Sequence, residues 1–159
     1  MPSKVAPQLY MVDTCSFTEL RRTYPRPHFK SVWTLIERLV TDGRLLSVEE
    51  VYIELKAQDD EVAEWAEQHK DIFLPLTEEI QLKAREILKR HPTLVDLKKK
   101  KSGADAFLIA AALLGGAAVV TQEEKSGGSP TVKIPDVCAF HAIRCIPLLE
   151  LLKAERLTS

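Results

Sequence analysis

The sequence predicts an α/β fold, a central and mostly parallel sheet covered by helices on both faces. Three observations carry that expectation. Short apolar runs of strand length, Gln8–Asp13, Arg44–Ser47 and Ala117–Thr121, alternate with longer segments of helical spacing. The run Ala117–Thr121 has no polar face, as in strands buried on both sides. The segment Ala104–Leu114 is apolar nearly all round, so it reads as a buried helix. Gly115 and Gly116 then turn it back into that strand.

Each element follows from local pattern. Residues 1–7 read as a flexible tail. Gln8–Asp13 is a buried strand ending on an acid. Ser16 and Glu19 have capping-box spacing, which starts a helix directly after it. Pro25 and Pro27 make a basic loop of the residues around Arg21, Arg22, Arg26, His28 and Lys30. Phe29–Val40 places Val32, Trp33, Ile36, Leu39 and Val40 on one helical face. Arg44–Ser47 is a second strand, with Ser47 as the cap of a helix that turns Val48, Val51, Tyr52 and Leu55 inward. Glu61–His69 is a further helix, its first turns rich in acids that suit the helix dipole. Ile72–Leu74 is extended, Thr77–Arg90 helical, and His91-Pro92 a stop.

Lys98–Lys101 is a basic run before the central helix. Asp136 is expected to cap a short helix over Val137–Ala142. Arg144–Ile146 is a last strand. Leu148–Leu157 is a terminal helix whose leucines offer a dimer or partner surface. The whole of 1–159 is one domain, without repeats or an internal linker.

Composition excludes several classes. Hydrophobic residues make up 45% and charged residues 28%, ordinary values for a soluble domain. Net charge is −1, so any nucleic-acid contact must rest on local basic surface. The longest apolar stretch, Ala104–Thr121, is interrupted by Asp105 and the two glycines and is too short to span a membrane. No signal-peptide pattern opens the chain, so the cytoplasm is the expected compartment. Cys15, Cys138 and Cys145 lack metal or disulfide spacing and read as small buried hydrophobes. The four histidines show no ligand spacing, and Trp33 and Trp65 read as core.

The acids carry the functional signal. Asp13 ends the first strand and Glu123 follows the strand at Val120-Thr121. Glu54 lies about two turns into the helix after the second strand, with Glu50 as its rival one turn earlier. Asp105 is in the first turn of the central helix. Sites in parallel sheets form beyond the carboxyl ends of the strands. The central helix runs antiparallel to the strand after it, so Asp105 and Glu123 reach the same edge. Four carboxylates together repel unless a cation is present, and all-oxygen sites suit Mg²⁺ or Mn²⁺. Such an ion activates water and neutralises a phosphodiester leaving group. Arg21, Arg22, Arg26 and Lys98–Lys101 lie in connections near that edge, where they could contact RNA phosphates.

These segments resemble a known family. Met11-Val-Asp-Thr-Cys-Ser16 resembles the opening strand of PIN domains. Val51-Tyr-Ile-Glu-Leu55 resembles their second acid site, Ala104-Asp-Ala-Phe-Leu-Ile-Ala-Ala111 their third, and Val119-Val-Thr-Gln-Glu123 their fourth. The segment Lys133-Ile-Pro-Asp-Val-Cys138 is similar to a narrower bacterial branch of PIN-like proteins without a settled role. The resemblance implies a three-layer α/β/α fold and a metal-dependent endoribonuclease of the VapC toxin type. Asp13, Glu54, Asp105 and Glu123 would be its catalytic metal ligands, with an antitoxin partner and a homodimer. One departure is the fourth site, where the family has aspartate and this chain has Glu123-Glu124. Asp136 is a further candidate for a supporting role.

Two other readings compete. A non-catalytic PIN-like module would use the same acids only to hold the fold or to bind RNA or protein. Phosphotransfer on Asp13, as in receiver or dehalogenase-like folds, lacks the second aspartate two residues on, since Cys15 stands there.

Overall fold

The computed structural model describes residues 7–94, 103–127 and 131–156. The expected tail (save Pro7), the Lys98–Lys101 run and the last residue of the expected terminal helix, Leu157, lie outside these residues. Five strands form one all-parallel sheet in the order β3-β2-β1-β4-β5. The strands are β1 (Tyr10–Val12), β2 (Leu45–Val48), β3 (Phe73–Leu74), β4 (Ala118–Val120) and β5 (Cys145–Ile146). Eight α-helices occur among the described residues: α1 (Thr14–Thr23), α2 (Lys30–Thr41), α3 (Glu49–Ala57), α4 (Glu61–Gln68), α5 (Glu78–Arg90), α6 (Ala104–Gly115), α7 (Ile134–Phe140) and α8 (Leu148–Arg156). The architecture is the three-layer α/β/α arrangement the sequence predicts.

The chain steps from β1 to β2 to β3, then returns across the sheet to β4 and β5 on the other side of β1. The connections between these parallel strands carry the helices that cover the sheet. α6 packs on β1 and β2, beside α5 and α7, while α2 packs on β2 beside α8. The strand order reverses between β1 and β4, where Tyr10, Met11 and Val12 pair with Ala118, Val119 and Val120. Open α/β sheets form ligand crevices at such a reversal, outside the carboxyl ends of the strands.

α6 is the core of one layer. Seven of its side chains, Ala104, Ala106, Leu108, Ile109, Ala110, Ala111 and Ala112, are buried. Gly116 follows it in the left-handed region at φ 66°, a conformation that a Cβ would strain. The Ala117 N–H bonds the Ala112 carbonyl at 3.0 Å, and the chain enters β4 at once. The carboxyl end of β4 therefore lies on the same side as the start of α6.

Several local expectations are corrected. Asp13, not Ser16, caps α1, accepting the Thr14 N–H. Ser16 is buried and its hydroxyl donates to the Val120 carbonyl at 3.1 Å. Ser47 does not cap α3; its hydroxyl donates to the Val12 carbonyl at 2.6 Å, and Val48 holds the cap position without a side-chain bond. Both serines bind strand carbonyls across the sheet, which local spacing does not encode. Asp136 sits inside the first turn of α7 rather than before it. Leu148, Leu151 and Leu152 of α8 face this chain's own core, leaving Leu149 as the exposed leucine there. Leu82 of α5, an apolar position of the helix expected over Thr77–Arg90, is exposed rather than in the core.

A buried ionic cluster ties the last helix to the sheet. Glu155 is 3% exposed and receives Arg44 Nη1 and Nη2 at 2.8 and 2.6 Å. The Tyr10 hydroxyl donates to the same carboxylate at 2.6 Å. Burial, with the bond to Glu155, pushes the Tyr10 phenol up to about 12. Burial pulls Glu155 upward, but the bonds from Arg44 and Tyr10 outweigh it and hold the carboxyl below 4.5. Removing one partner of a buried pair strands the other. Glu155→Ala should therefore cost about 3 kcal/mol in urea denaturation at neutral pH. Because the folded value is depressed, this contribution is present above 4.5 and fades as pH falls through the folded value. The gap between wild type and variant should narrow in acid.

Candidate active site

The reversal between β1 and β4 opens into a cleft of about 560 Å³. Asp13, Glu54, Asp105 and Glu123 all line it, with Thr14, Cys15, Arg22 and Gln122 among their neighbours. Asp13 follows β1 directly, and its backbone N–H bonds the Val120 carbonyl at 2.9 Å, closing the β1–β4 seam. Glu54 comes from α3, Asp105 from the first turn of α6, and Glu123 from the segment after β4.

Asp13 is the most constrained of the four. Its side chain is in a buried residue, 6% exposed, yet three donors serve it. Oδ1 accepts the Thr14 N–H at 2.7 Å. Oδ2 accepts the Thr121 hydroxyl at 2.9 Å and the Cys15 thiol at 3.0 Å. The first bond is a helix cap, so Asp13 has a structural role beside any chemical one. A carboxylate offers about four acceptor positions, and three donors leave room for a fourth contact on the cleft side.

The remaining acids attach to this centre through short links. The Thr14 hydroxyl donates to Glu54 Oε1 at 2.8 Å, joining the first residue of α1 to α3. The Thr121 hydroxyl, having donated to Asp13, accepts the Glu123 N–H at 3.2 Å. That bond fixes the backbone at Glu123, whose side chain is half-buried on the cleft, while Glu124 is exposed and outside the lining. Glu50 is likewise outside the lining. Asp105, in the first turn of α6, stands half-buried in the lining. Among the described residues, no three His, Cys, Asp or Glu side chains are grouped closely enough to form a ligand cage. The carboxylates share a cleft rather than a closed coordination shell.

Two residues that sequence reasoning set aside belong to the site. Cys15 is no mere apolar filler: its sulfur donates to Asp13 and accepts the Gln122 N–H at 3.2 Å. Gln122 in turn accepts the Leu148 N–H at 2.8 Å, connecting the cleft to the start of α8. The signal was Cys15 two residues after Asp13, but its other partners, Thr121 and Gln122, are 106 and 107 positions away. The basic cluster divides. Arg22 lines the cleft, whereas Arg21 pairs with Asp60 at 3.3 Å and Arg26 with Glu37 at 3.3 Å. Asp136 is placed away from the lining. It accepts the Ser126 and Lys133 N–H groups at 3.1 and 2.8 Å, holding the loop that follows Glu123.

Burial, then the charge of Asp13, pushes the Cys15 thiol up to about 12. Cys138 is also pushed up, chiefly by its hydrogen bond to Cys145, which the same bond holds below the ordinary thiol value. Thiolate is the reactive form. Alkylation of the native protein by iodoacetamide at pH 8 should therefore mark Cys145 first and leave Cys15 to the last, with Cys138. Peptide mapping by mass spectrometry checks the order, and early labelling of Cys15 would contradict the hydrogen-bonded site.

Comparison with known proteins adds three findings. No curated protein matches the sequence. One chain of the crystal structure of VapBC2 from Rickettsia felis bound to a DNA fragment from their promoter is similar, with a TM-score of 0.48 and 15% identity. The similarity covers 79% of this chain and 97% of that one. Residues 10–159 match the model of the family described as Domain of unknown function (DUF4411), and the chain belongs to that family.

Proposed function

We propose that the protein is a metal-dependent endoribonuclease that hydrolyses RNA phosphodiesters, and that it is the toxin of a toxin–antitoxin pair, inhibited by a cognate antitoxin and acting as a homodimer. The observation that carries the nuclease reading is the gathering of Asp13, Glu54, Asp105, Glu123 and Arg22 on one cleft at the sheet's reversal. The toxin, antitoxin and dimer rest on the resemblance of the four acid segments to VapC-type PIN domains.

The donor chemistry fits a hard cation. Every candidate ligand is a carboxylate oxygen, which suits Mg²⁺ or Mn²⁺ over softer metals. The open spacing of the acids is compatible with Mg²⁺, which usually keeps several waters and takes one or two carboxylates. Asp13 and Asp105 would hold the ion, with Glu54 and Glu123 binding its waters or a second ion. The ion would supply an activated water and charge neutralisation on the phosphodiester. Arg22, on the same wall as Glu19 and Thr18, is placed to bind a phosphate flanking the scissile bond. Thr121 and Cys15, bonded to Oδ2, hold the Asp13 carboxylate in place. Thr14 does the same for Glu54.

A second reading, a non-catalytic RNA- or protein-binding module, draws on a specific observation. Asp13 caps α1 and already accepts three hydrogen bonds, and the acids form no cage among the described residues. Under that reading the acids only hold the fold or a partner.

Cleavage of a mixed-sequence RNA by the purified chain separates the two. With Mg²⁺ or Mn²⁺ the wild type should cut, and chelation should stop it. Asp105→Asn and Asp13→Asn should each lower the rate by at least about 100-fold, the scale of losing one charge-stabilising group. Asparagine can keep the cap bond to the Thr14 N–H but turns an amide donor towards the Thr121 and Cys15 donors, so melting temperatures establish that each variant is folded, and Asp105→Asn carries the test. Undiminished cleavage in both variants, or none by the wild type with either metal, would defeat the nuclease reading. Induced expression should slow growth for the wild type and not for Asp105→Asn; equal growth of the two would remove the toxin claim.

A further inference from the structure

Away from the cleft, the ends of α5 and α7 meet in an aromatic and basic cluster that the reaction does not use. Phe140, the last residue of α7, is 54% exposed. The Arg90 guanidinium lies over one face of its ring at 4.7 Å from the centroid. His91 and His141 each approach that ring edge-on, at centroid distances of 5.0 Å and interplanar angles of 80° and 72°. Their Nε2 atoms are 3.2 Å apart, which locks the two helix ends together.

Three features favour a nucleic-acid strand as the occupant. Phe140 contributes nothing to this chain's core, although large aromatics are among the most profitable side chains to bury. A half-exposed ring braced on its edges by two imidazoles is held rigid, so stacking on it costs little ordering. The charges acting on the histidines are positive. Arg90 bears on both rings, and Lys83 on His141, while Glu86 is paired to Lys83 at 2.9 Å. An exposed ring beside a guanidinium is the arrangement that takes a base on the ring and a phosphate on the cation. α7 is seven residues long, about 10 Å of helix at 1.5 Å per residue. The Asp136–Ser126 bond sets the first turn of α7 beside the segment that follows Glu123, so Phe140 stands about one length of α7 beyond that segment, within the reach of a strand of roughly 4–16 nucleotides such as one single-strand-binding fold holds.

We propose that the α5–α7 junction is a second RNA contact, in which Phe140 stacks one unpaired base and Arg90 binds an adjacent phosphate of a strand whose scissile bond lies in the cleft. It rests on the ribonuclease reading and adds to it an anchoring surface that selects single-stranded RNA.

The test is fluorescence anisotropy of a fluorescein-labelled single-stranded RNA of about 12 nucleotides, with the full chain in EDTA so that no cleavage intervenes. Phe140→Ala should weaken binding by about tenfold, the low-to-middle range for losing one base stack. Phe140→Leu, which keeps an apolar side chain and loses the ring face, should weaken it similarly, and Phe140→Trp should preserve it. Arg90→Ala should also weaken binding and flatten its salt dependence. Melting temperatures equal to wild type confirm that each variant is folded. If Phe140→Leu and Arg90→Ala bind as tightly as a wild type that does bind, the exosite is refuted while the ribonuclease reading stands; a patch that serves a protein partner gives this same result. If the wild type binds no RNA in EDTA, the exosite is refuted, and the ribonuclease reading stands or falls on the cleavage assay with metal.

Discussion

The site depends on one buried carboxylate. Asp13 stands where β1 ends and where the sheet's strand order reverses, and it is asked to do three things at once. Its backbone closes the β1–β4 seam, its Oδ1 caps α1, and its Oδ2 gathers Thr121 and Cys15. A buried carboxylate without such donors would be costly. With them it becomes a fixed point from which the other walls are measured. Thr14, beside Asp13, reaches Glu54; Thr121, bonded to Asp13, fixes the backbone of Glu123. The β1–β4 register sets the distance between these two walls.

The second constraint is the tight return at Gly116. α6 is buried along almost its whole length, so its position relative to the sheet is set by packing rather than by surface contacts. Because the chain reverses within two residues after α6, the acid at its start and the acid after β4 arrive at one edge. Core packing and the placement of functional groups are thus the same fact seen from two ends of one helix. The far side of the molecule is held differently, by the Tyr10–Arg44–Glu155 cluster, which secures α8 against the amino ends of the central strands.

Much of this was legible in the sequence. Alternating strand and helix patterns gave the parallel sheet, and the all-apolar stretch with its two glycines gave the helix–turn–strand that brings Asp105 towards Glu123. What stayed hidden was hydrogen bonding between residues far apart in the chain. Ser16 and Ser47 look like helix caps because spacing reports only neighbours; in the fold their hydroxyls serve strand carbonyls 104 and 35 positions away. Cys15 looks like a small hydrophobe for the same reason. The arginines could not be ranked from sequence, since Asp60 and Glu37, which engage Arg21 and Arg26, come from separate helices. The leucines of α8 suggested a partner surface, but a terminal helix that docks on its own core shows the same pattern.

The proposed function requires the carboxylates of the cleft to bind a hard divalent cation. Titration of Mn²⁺ followed by electron paramagnetic resonance of the free ion measures this without relying on any substrate. Saturable uptake by the wild type is expected, displaced by Mg²⁺ and lost in Asp105→Asn and in Asp13→Asn. Absence of saturable uptake by the wild type, or uptake left intact by both substitutions, would contradict it.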